Sequence, residues 1–206
     1  MAAPASKTIR DLNGKWVLNK TLSDPTDPAL ALQGVGWLLR KAIGAATVTI
    51  VVKEYTEADA SGTPTLHIDI EQTASGLSGT KEQRALDWVS REHKDFVFGR
   101  VDGRSRMVSG AELAALVAAP DGEARRARWV DSDFLALDWL SEGGEEGEGG
   151  SGEVVLNHVV ADGGWFATQA WGFQEIGGER RHVRNVVVAK GEKFESFKMI
   201  YDFISE

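Results

Sequence analysis

At 206 residues the chain has room for one domain with a sizeable core. Its formal charge of −8 at pH 7 argues against a nucleic-acid backbone as partner, because phosphate binding needs a basic face. Apolar residues make up 42% and charged residues 26%, and no apolar run approaches the ~18 residues a membrane span takes. Cysteine is absent, which removes disulfides, thiolate nucleophiles and cysteine-ligated metals together. The opening stretch MAAPASKTIRDLNG has no apolar h-region, so the expected location is cytoplasmic.

In chain order, GKWVLNKTL (14–22) is the first predicted strand, followed by the turn-rich SDPTDP. A helical hairpin over 28–44 comes next. Asp27 is placed as an N-cap and Pro28 at the first helical position, where its missing N–H costs nothing. Gly34 and Gly44 can each end a short helix by taking a left-handed conformation. On a helical wheel Val35, Leu38, Leu39, Ala42 and Ile43 share an arc expected to rest on the body of the protein. The opposite arc sets Trp37 between Arg40 and Lys41. That Trp reads either as packed on a neighbouring loop or as a point of transient membrane contact through the lid.

TVTIVVKEYT (47–56) is rich in β-branched residues, which pack well on a pleated surface. TLHIDIEQT (65–73) alternates Leu66, Ile68 and Ile70 against His67, Asp69 and Glu71, the pattern of a sheet with one wet face. DFVFGR and RSRMVS flank Val101-Asp102-Gly103, and Asp-Gly between extended runs predicts a hairpin turn there. Residues 109–152 read as an insertion. Its Ala- and Leu-rich start predicts one or two helical turns stopped at Pro120, and the acidic, Gly-rich stretch 142–153 reads as a flexible exposed loop. Four more strands follow: 153–162, 164–176, 180–190 and 192–204. Gly163-Gly164, Gly177-Gly178 and Lys190-Gly191 separate them into a meander of hairpins. Eight or more strands with a single short helical pair predict one all-β domain over 1–206, a sandwich or a closed barrel. Closure removes the exposed edges, and a barrel of this size encloses side chains or one small ligand.

The order of these motifs carries a resemblance. Gly14-Lys15-Trp16 resembles the calycin G-x-W signature, whose Trp plugs the closed end of the barrel. GVGWLLRKAIG (34–44) resembles the second helix of the helix-turn-helix lid in the intracellular fatty-acid-binding and retinoid-binding proteins. The likeness is good over 12–55, looser but in order over 65–108 and 164–204, and absent over 109–152. It implies an antiparallel calycin-like, lipocalin-like and fatty-acid-binding-protein-like β-barrel of ten strands with a short helix-turn-helix lid. The implied activity is binding of a hydrophobic small molecule in a cavity gated by residues 28–44. In that family the last strand usually carries Arg-x-Tyr, which holds a ligand carboxylate. Here Met199-Ile200-Tyr201 keeps the Tyr and lacks the Arg. Without that fork on this strand the expected ligand is neutral or weakly polar, lipid-like or terpenoid- and polyketide-like.

Strand phase supplies an inward set. Phe197, Met199, Tyr201 and Phe203 share one face of the last strand, and Trp165, Ala167, Gln169, Trp171 and Phe173 share one face of 164–176. Gln169, Trp171, Phe173, Phe197, Met199 and Tyr201, with Trp37 and Leu38 of the lid, are therefore the ligand-binding candidates. The same side chains also read as barrel filling. His158, in phase with Val154, Leu156 and Val160, reads as a core histidine or as a cavity acid–base group. Arg180, His182 and Arg184 share a face with Val186 and Val188. Facing inward, Arg184 takes the place of the missing Arg; facing outward, these are solvated charges, the preferred reading.

The sequence has no G-x-S-x-G elbow, H-E-x-x-H, P-loop or strand-borne G-x-G-x-x-G, and no His/carboxylate cluster at metal-ligand spacing. Neither a hydrolase nor a metalloenzyme is expected, and no cofactor. Two functions lead, ahead of a structural protein whose barrel is filled and whose acidic loop binds a partner. One is a carrier of an apolar metabolite. The other is a cofactor-independent cyclase, since some calycin-like barrels act in natural-product pathways as pericyclic hetero-Diels–Alder catalysts. Such chemistry needs near-attack positioning, which can contribute roughly 7–11 kcal/mol, and a donor to polarise a carbonyl. Tyr201, Gln169, His158 and Arg184 are the candidates for that donor.

Overall fold

Alternating apolar residues along most of the chain fold into strands that share one curved sheet. The computed structural model describes residues 1–58, 62–75, 77–118, 132–140 and 152–206. Its elements are β1 (Gly14–Leu18), α1 (Asp27–Leu32), α2 (Trp37–Ala45), β2 (Val48–Ala58), β3 (Pro64–Ala74), β4 (Leu77–Ala85), β5 (Arg91–Asp95), β6 (Gly99–Ser109), α3 (Gly110–Ala118), α4 (Ser132–Ala136), β7 (Glu153–Ala161), β8 (Trp165–Ile176), β9 (Glu179–Lys190) and β10 (Lys193–Ser205). The ten strands form one antiparallel sheet in the order β4-β3-β2-β1-β10-β9-β8-β7-β6-β5. β1 joins the first and last parts of the chain by pairing with β2 on one side and β10 on the other. The sheet curls until β4 approaches β6, which makes a nearly closed barrel with α1 and α2 across one end. No helix among the described residues is long and apolar enough to cross a membrane.

The other end is closed by Trp16, which is fully buried. Its ring lies 4.9 Å from Phe203, 5.4 Å from His182 and 6.4 Å from Phe173 between centroids, and its Nε1 donates to the Leu12 carbonyl at 2.9 Å. The Gly of the same motif is equally constrained. Gly14 has φ +124°, and a Cβ there would sit 2.7 Å from the Ser205 carbonyl oxygen.

Two details differ from the sequence reading. Val101-Asp102-Gly103 is not a turn: β6 runs straight through it, with Val101 opposite Ala161 and Gly103 opposite Val159 on β7, while β5 pairs along its other edge. The reversal comes earlier, between Asp95 and Gly99, where Gly99 adopts φ +72°. Two continuous ladders outweigh a local Asp-Gly preference. Strand β4 escaped prediction altogether, because Lys81, Glu82, Gln83 and Arg84 make it polar on both faces. It becomes a strand through its pairing with β3, from Ala74↔Leu77 to His67↔Ala85.

At the lid, Thr26 takes the N-cap position and Asp27 is the first helical residue, where its carboxylate accepts from Arg40 Nε at 3.3 Å. α2 runs through Gly44 and ends at Ala45.

Helices α3 and α4 explain why β7 and β9 are buried on both faces. Leu113 and Leu135 pack with Val108, Val154, Leu156, Ala170 and Val187 on the outside of the barrel. Asn185 Nδ2 donates to the Phe134 carbonyl at 3.0 Å, and Gln174 Nε2 donates to that of Leu137 at 2.8 Å. Trp139 then lies across Gly172, where a Cβ would come within 2.8 Å of its ring. A Gly172→Ala change is therefore expected to cost about 1–3 kcal/mol of stability by overpacking, read as a lowered urea midpoint with unchanged m-value. Pro120 and the acidic stretch 142–151 lie outside the described residues.

Candidate functional site

The inner faces of the strands and the two lid helices enclose a cavity of about 1030 Å³. Leu30, Leu39 and Ile43 line its mouth, and Ala167, Val186, Val188 and Phe197 make an apolar belt below them. Near the floor the lining becomes polar, with Gln169 from β8, Arg184 from β9, Tyr201 from β10, and Glu82 and Arg84 from β4.

Register decides the phase left open over 180–188. β9 and β10 pair with Arg184 opposite Met199 and His182 opposite Tyr201, so these even-numbered positions share the inner face of the last strand. His182 and Arg184 are 1% and 7% exposed, which overturns the solvated reading of this strand. Arg184 stands directly across from Met199, the position where the resemblance expects an Arg. The guanidinium missing from the last strand is thus supplied at the same level by its neighbour.

Its surroundings are specific. The Arg184 guanidinium carbon lies 3.9 Å from the centroid of the Trp171 ring and 5.1 Å from that of Tyr201. Its Nε and Nη2 are buried and have no hydrogen-bond partner among the described residues. Trp171 also fixes Gln169: its Nε1 donates to Gln169 Oε1 at 2.9 Å, which leaves the amide nitrogen as the group Gln169 can offer the cavity. Tyr201 is fully buried, and its hydroxyl donates to the soft Met199 Sδ at 4.0 Å. Burial pushes the Tyr201 hydroxyl above its ordinary pKa, so it remains protonated and able to donate.

Glu82 and Arg84 form an ion pair inside the wall. Burial pushes the Glu82 carboxyl up, but Arg84 and Arg184 outweigh it and hold the group below the usual carboxylate range. Neither residue was singled out from the sequence, since both lie on the unrecognised β4. Their one visible signal is spacing, because they sit opposite Ile70 and Ile68, whose alternation marks the inner face.

The other candidates fall elsewhere. Phe197, Met199, Tyr201 and Gln169 line the cavity. Trp171 and Phe173, 0% and 2% exposed, share that inner face but belong to the packed floor with Trp16 and His182. Trp37 and Leu38 are 64% and 75% exposed on the outside of α2. A helix of nine residues lying across the mouth turns Leu39 and Ile43 to the cavity and leaves Leu38 in solvent, against the expected resting arc. His158 is on the outer face, where its Nδ1 meets Thr168 Oγ1 at 2.9 Å. Its apolar phase reflects the outer cluster with Val154 and Leu156 under α3 and α4, not the cavity.

No family model matches the sequence. Over 205 residues, 98% of this chain and 95% of the relative, it is 30% identical to a probable pericyclase, scpY, of Mollisia scopiformis. Over 204 residues, 99% of this chain and 97% of the relative, it is 28% identical to the pericyclase pydY of an Acremonium species. The chain belongs to this pericyclase family. Among solved structures, the wild-type fluorescent protein UnaG superposes with a TM-score of 0.50 at 12% identity, covering 95% of this chain and 99% of that one. Lipid binding protein 8 of Caenorhabditis elegans does so with 0.48 at 12% identity, covering 93% and 94%. The likeness to UnaG concerns the fold alone. In this member of the pericyclase family, three donors from three adjacent strands line the polar floor of a chamber that has an apolar belt above it and is large enough for a drug-sized molecule. Such donors polarise an oxygen acceptor more strongly in a water-poor site than in solvent.

Proposed function

We propose that the protein is a cofactor-independent pericyclase that cyclises an apolar, natural-product-like substrate inside the barrel, by a Diels–Alder or hetero-Diels–Alder step. The reading rests above all on Arg184, a buried guanidinium on the inner face of β9 beside Gln169 and Tyr201 at the polar floor of the chamber. The full-length likeness to two named pericyclases supports it. The substrate folds in the cavity with its diene and dienophile in contact, so that orientation is fixed before reaction. An oxygen conjugated to the reacting π system accepts from Arg184, Gln169 Nε2 or Tyr201 Oη. Two new σ bonds form from two π bonds, and no proton, electron or leaving group is exchanged with the protein. Charge that gathers on the oxygen in the transition state meets donors already in place. In this reading Trp37 and Leu38, exposed beside Lys41, are the surface that touches a membrane or donor during loading.

The test is incubation with linear polyenes tethered to an enone. The expected product has the mass of the substrate but a different retention time and ring-proton spectrum, and it forms faster than in a protein-free control. Stoichiometric binding with the substrate returned unchanged would make the protein a carrier and overturn the reading.

A further inference from the structure

Resting on that reading, the structure also narrows the polar head of the substrate. Arg184 and Tyr201 are 7% and 0% exposed, so their polar atoms have little surface to offer a guest. Gln169 is the most open of the three donors: it is only partly buried, and its phase on β8 turns it into the cavity. An amide carries a carbonyl and an NH2 on one rotor, and the end that faces a ligand decides what it selects. Here that rotor is held. Trp171 lies two residues along the same face, and its indole Nε1, which can only donate, donates to Gln169 Oε1 at 2.9 Å. Turning the amide over would set its NH2 against the indole N–H, two donors face to face at a buried position. The indole is itself fixed. It is fully buried, with the Arg184 guanidinium carbon 3.9 Å and that of Arg84 5.1 Å from its ring centroid. β8 pairs with β7 and β9 at this level, which holds the backbone beneath both residues.

We infer that Trp171 is a specificity-determining residue: by occupying the Gln169 carbonyl it leaves the chamber a donor-only amide, which selects a substrate whose head is a neutral carbonyl oxygen. A ketone, ester or tertiary amide accepts from Gln169 Nε2 and has no hydrogen of its own to satisfy. A hydroxyl at the same place accepts as well, but its own O–H must then be matched. The Gln169 carbonyl is already taken, the Glu82 carboxylate on β4 is engaged by Arg84, and the Tyr201 hydroxyl is enclosed. That stranded O–H is the penalty by which a floor of donors rejects an alcohol. The same geometry suits the proposed cyclisation, since donation activates a carbonyl conjugated to the dienophile.

The test is equilibrium binding of a matched pair, 5-nonanone and 5-nonanol, by titration calorimetry on the wild type, Gln169→Met and Trp171→Phe; it needs no turnover. The wild type is expected to bind the ketone at least about tenfold more tightly than the alcohol. Gln169→Met should weaken the ketone about tenfold and leave the alcohol within about threefold of wild type, since only the ketone loses a fully satisfied contact. Trp171→Phe keeps an aromatic ring for Arg184 but frees the amide to turn its oxygen inward. The alcohol should then bind about threefold to tenfold more tightly and the preference should close. Lost packing does not produce a gain of affinity, and a cooperative urea transition shows each variant folded. Should Trp171→Phe not fold, the wild type and Gln169→Met decide. Equal affinities in the wild type, a ketone preference that survives Gln169→Met, or an alcohol affinity unchanged in folded Trp171→Phe overturns the inference. A chamber that prefers the ketone but cyclises nothing sustains it while refuting the pericyclase reading, and an active cyclase with equal affinities does the reverse.

Discussion

Replacing Arg184 with methionine is expected to lower kcat/KM for cyclisation by about 100-fold or more, the loss typical of removing one preorganised donor from a developing oxyanion. The same change is expected to raise the unfolding free energy by roughly 1–3 kcal/mol, because an unpaired buried cation is exchanged for an apolar side chain of similar length. Opposite movements of activity and stability distinguish a functional group from a structural one. A residue kept for packing would lose both together. Arg184→Lys should recover part of the rate through charge alone, and Gln169→Leu, which removes one neutral donor, should cost less, about tenfold. The split between kcat and KM carries the mechanism. If Arg184 acts only in the transition state, kcat falls while KM stays; if it also anchors the ground state, KM rises as well. Steady-state kinetics on any accepted substrate, paired with urea denaturation of the same variants, decide the matter. An Arg184→Met enzyme within about threefold of wild type would remove Arg184 from the mechanism.

The barrel was legible where one physical pattern governed a segment. Ile68 and Ile70 alternate because β3 has one buried and one wet face, and both are buried as the period-two reading requires. Trp16 was legible through its motif, and the floor of the barrel is built around it. The pattern failed where two faces are buried at once. β7 is apolar on both sides because α3 and α4 pack outside it, so phase alone left His158 open between a core and a cavity residue. The same limit left β9 undecided: charged and aliphatic residues share its inner face, and only pairing with β10 orients it. β4 was invisible because its inward residues are the charged Glu82 and Arg84, which line the cavity and not a packed core. The strand hardest to read is thus one that lines the candidate site, where charged inward residues break the alternation that makes cores recognisable.

His182 should make stability fall with pH well above the range in which carboxylates act. The ring is fully enclosed among Trp16, Phe173 and Tyr201, and a hydrogen bond between Nδ1 and the Gly172 carbonyl at 3.1 Å places the neutral tautomer's proton on Nδ1. Burial, joined by the nearby Arg184 and Arg180 charges, lowers its pKa from 6.5 to about 3, with the Gly172 hydrogen bond opposing. The unfolded chain takes up this proton below about pH 6.5, whereas the folded chain does so only near pH 3. The stabilisation is therefore complete above pH 6.5 and lost progressively as pH falls through that window. Between pH 6.5 and about pH 4.5 the loss should reach roughly 2–3 kcal/mol, since each pH unit corresponds to about 1.4 kcal/mol. Asp87, held at about 2 by its hydrogen bonds with Arg91, loses its own contribution only below the ordinary carboxylate value of 3.8, so it does not enter a comparison between pH 7 and about pH 4.5. Urea denaturation of wild type and His182→Gln at about pH 7 and about pH 4.5 checks this, the glutamine amide remaining able to donate to Gly172. The variant should be the less stable at neutral pH, and its deficit should shrink by that 2–3 kcal/mol in acid; parallel pH profiles would refute the assignment. The neutral ring also bears on the site above it. A charged imidazole two residues along the strand from Arg184 would add a third cation beside Arg184 and Arg84, and keeping it neutral leaves the two guanidiniums as the cations near the cavity floor.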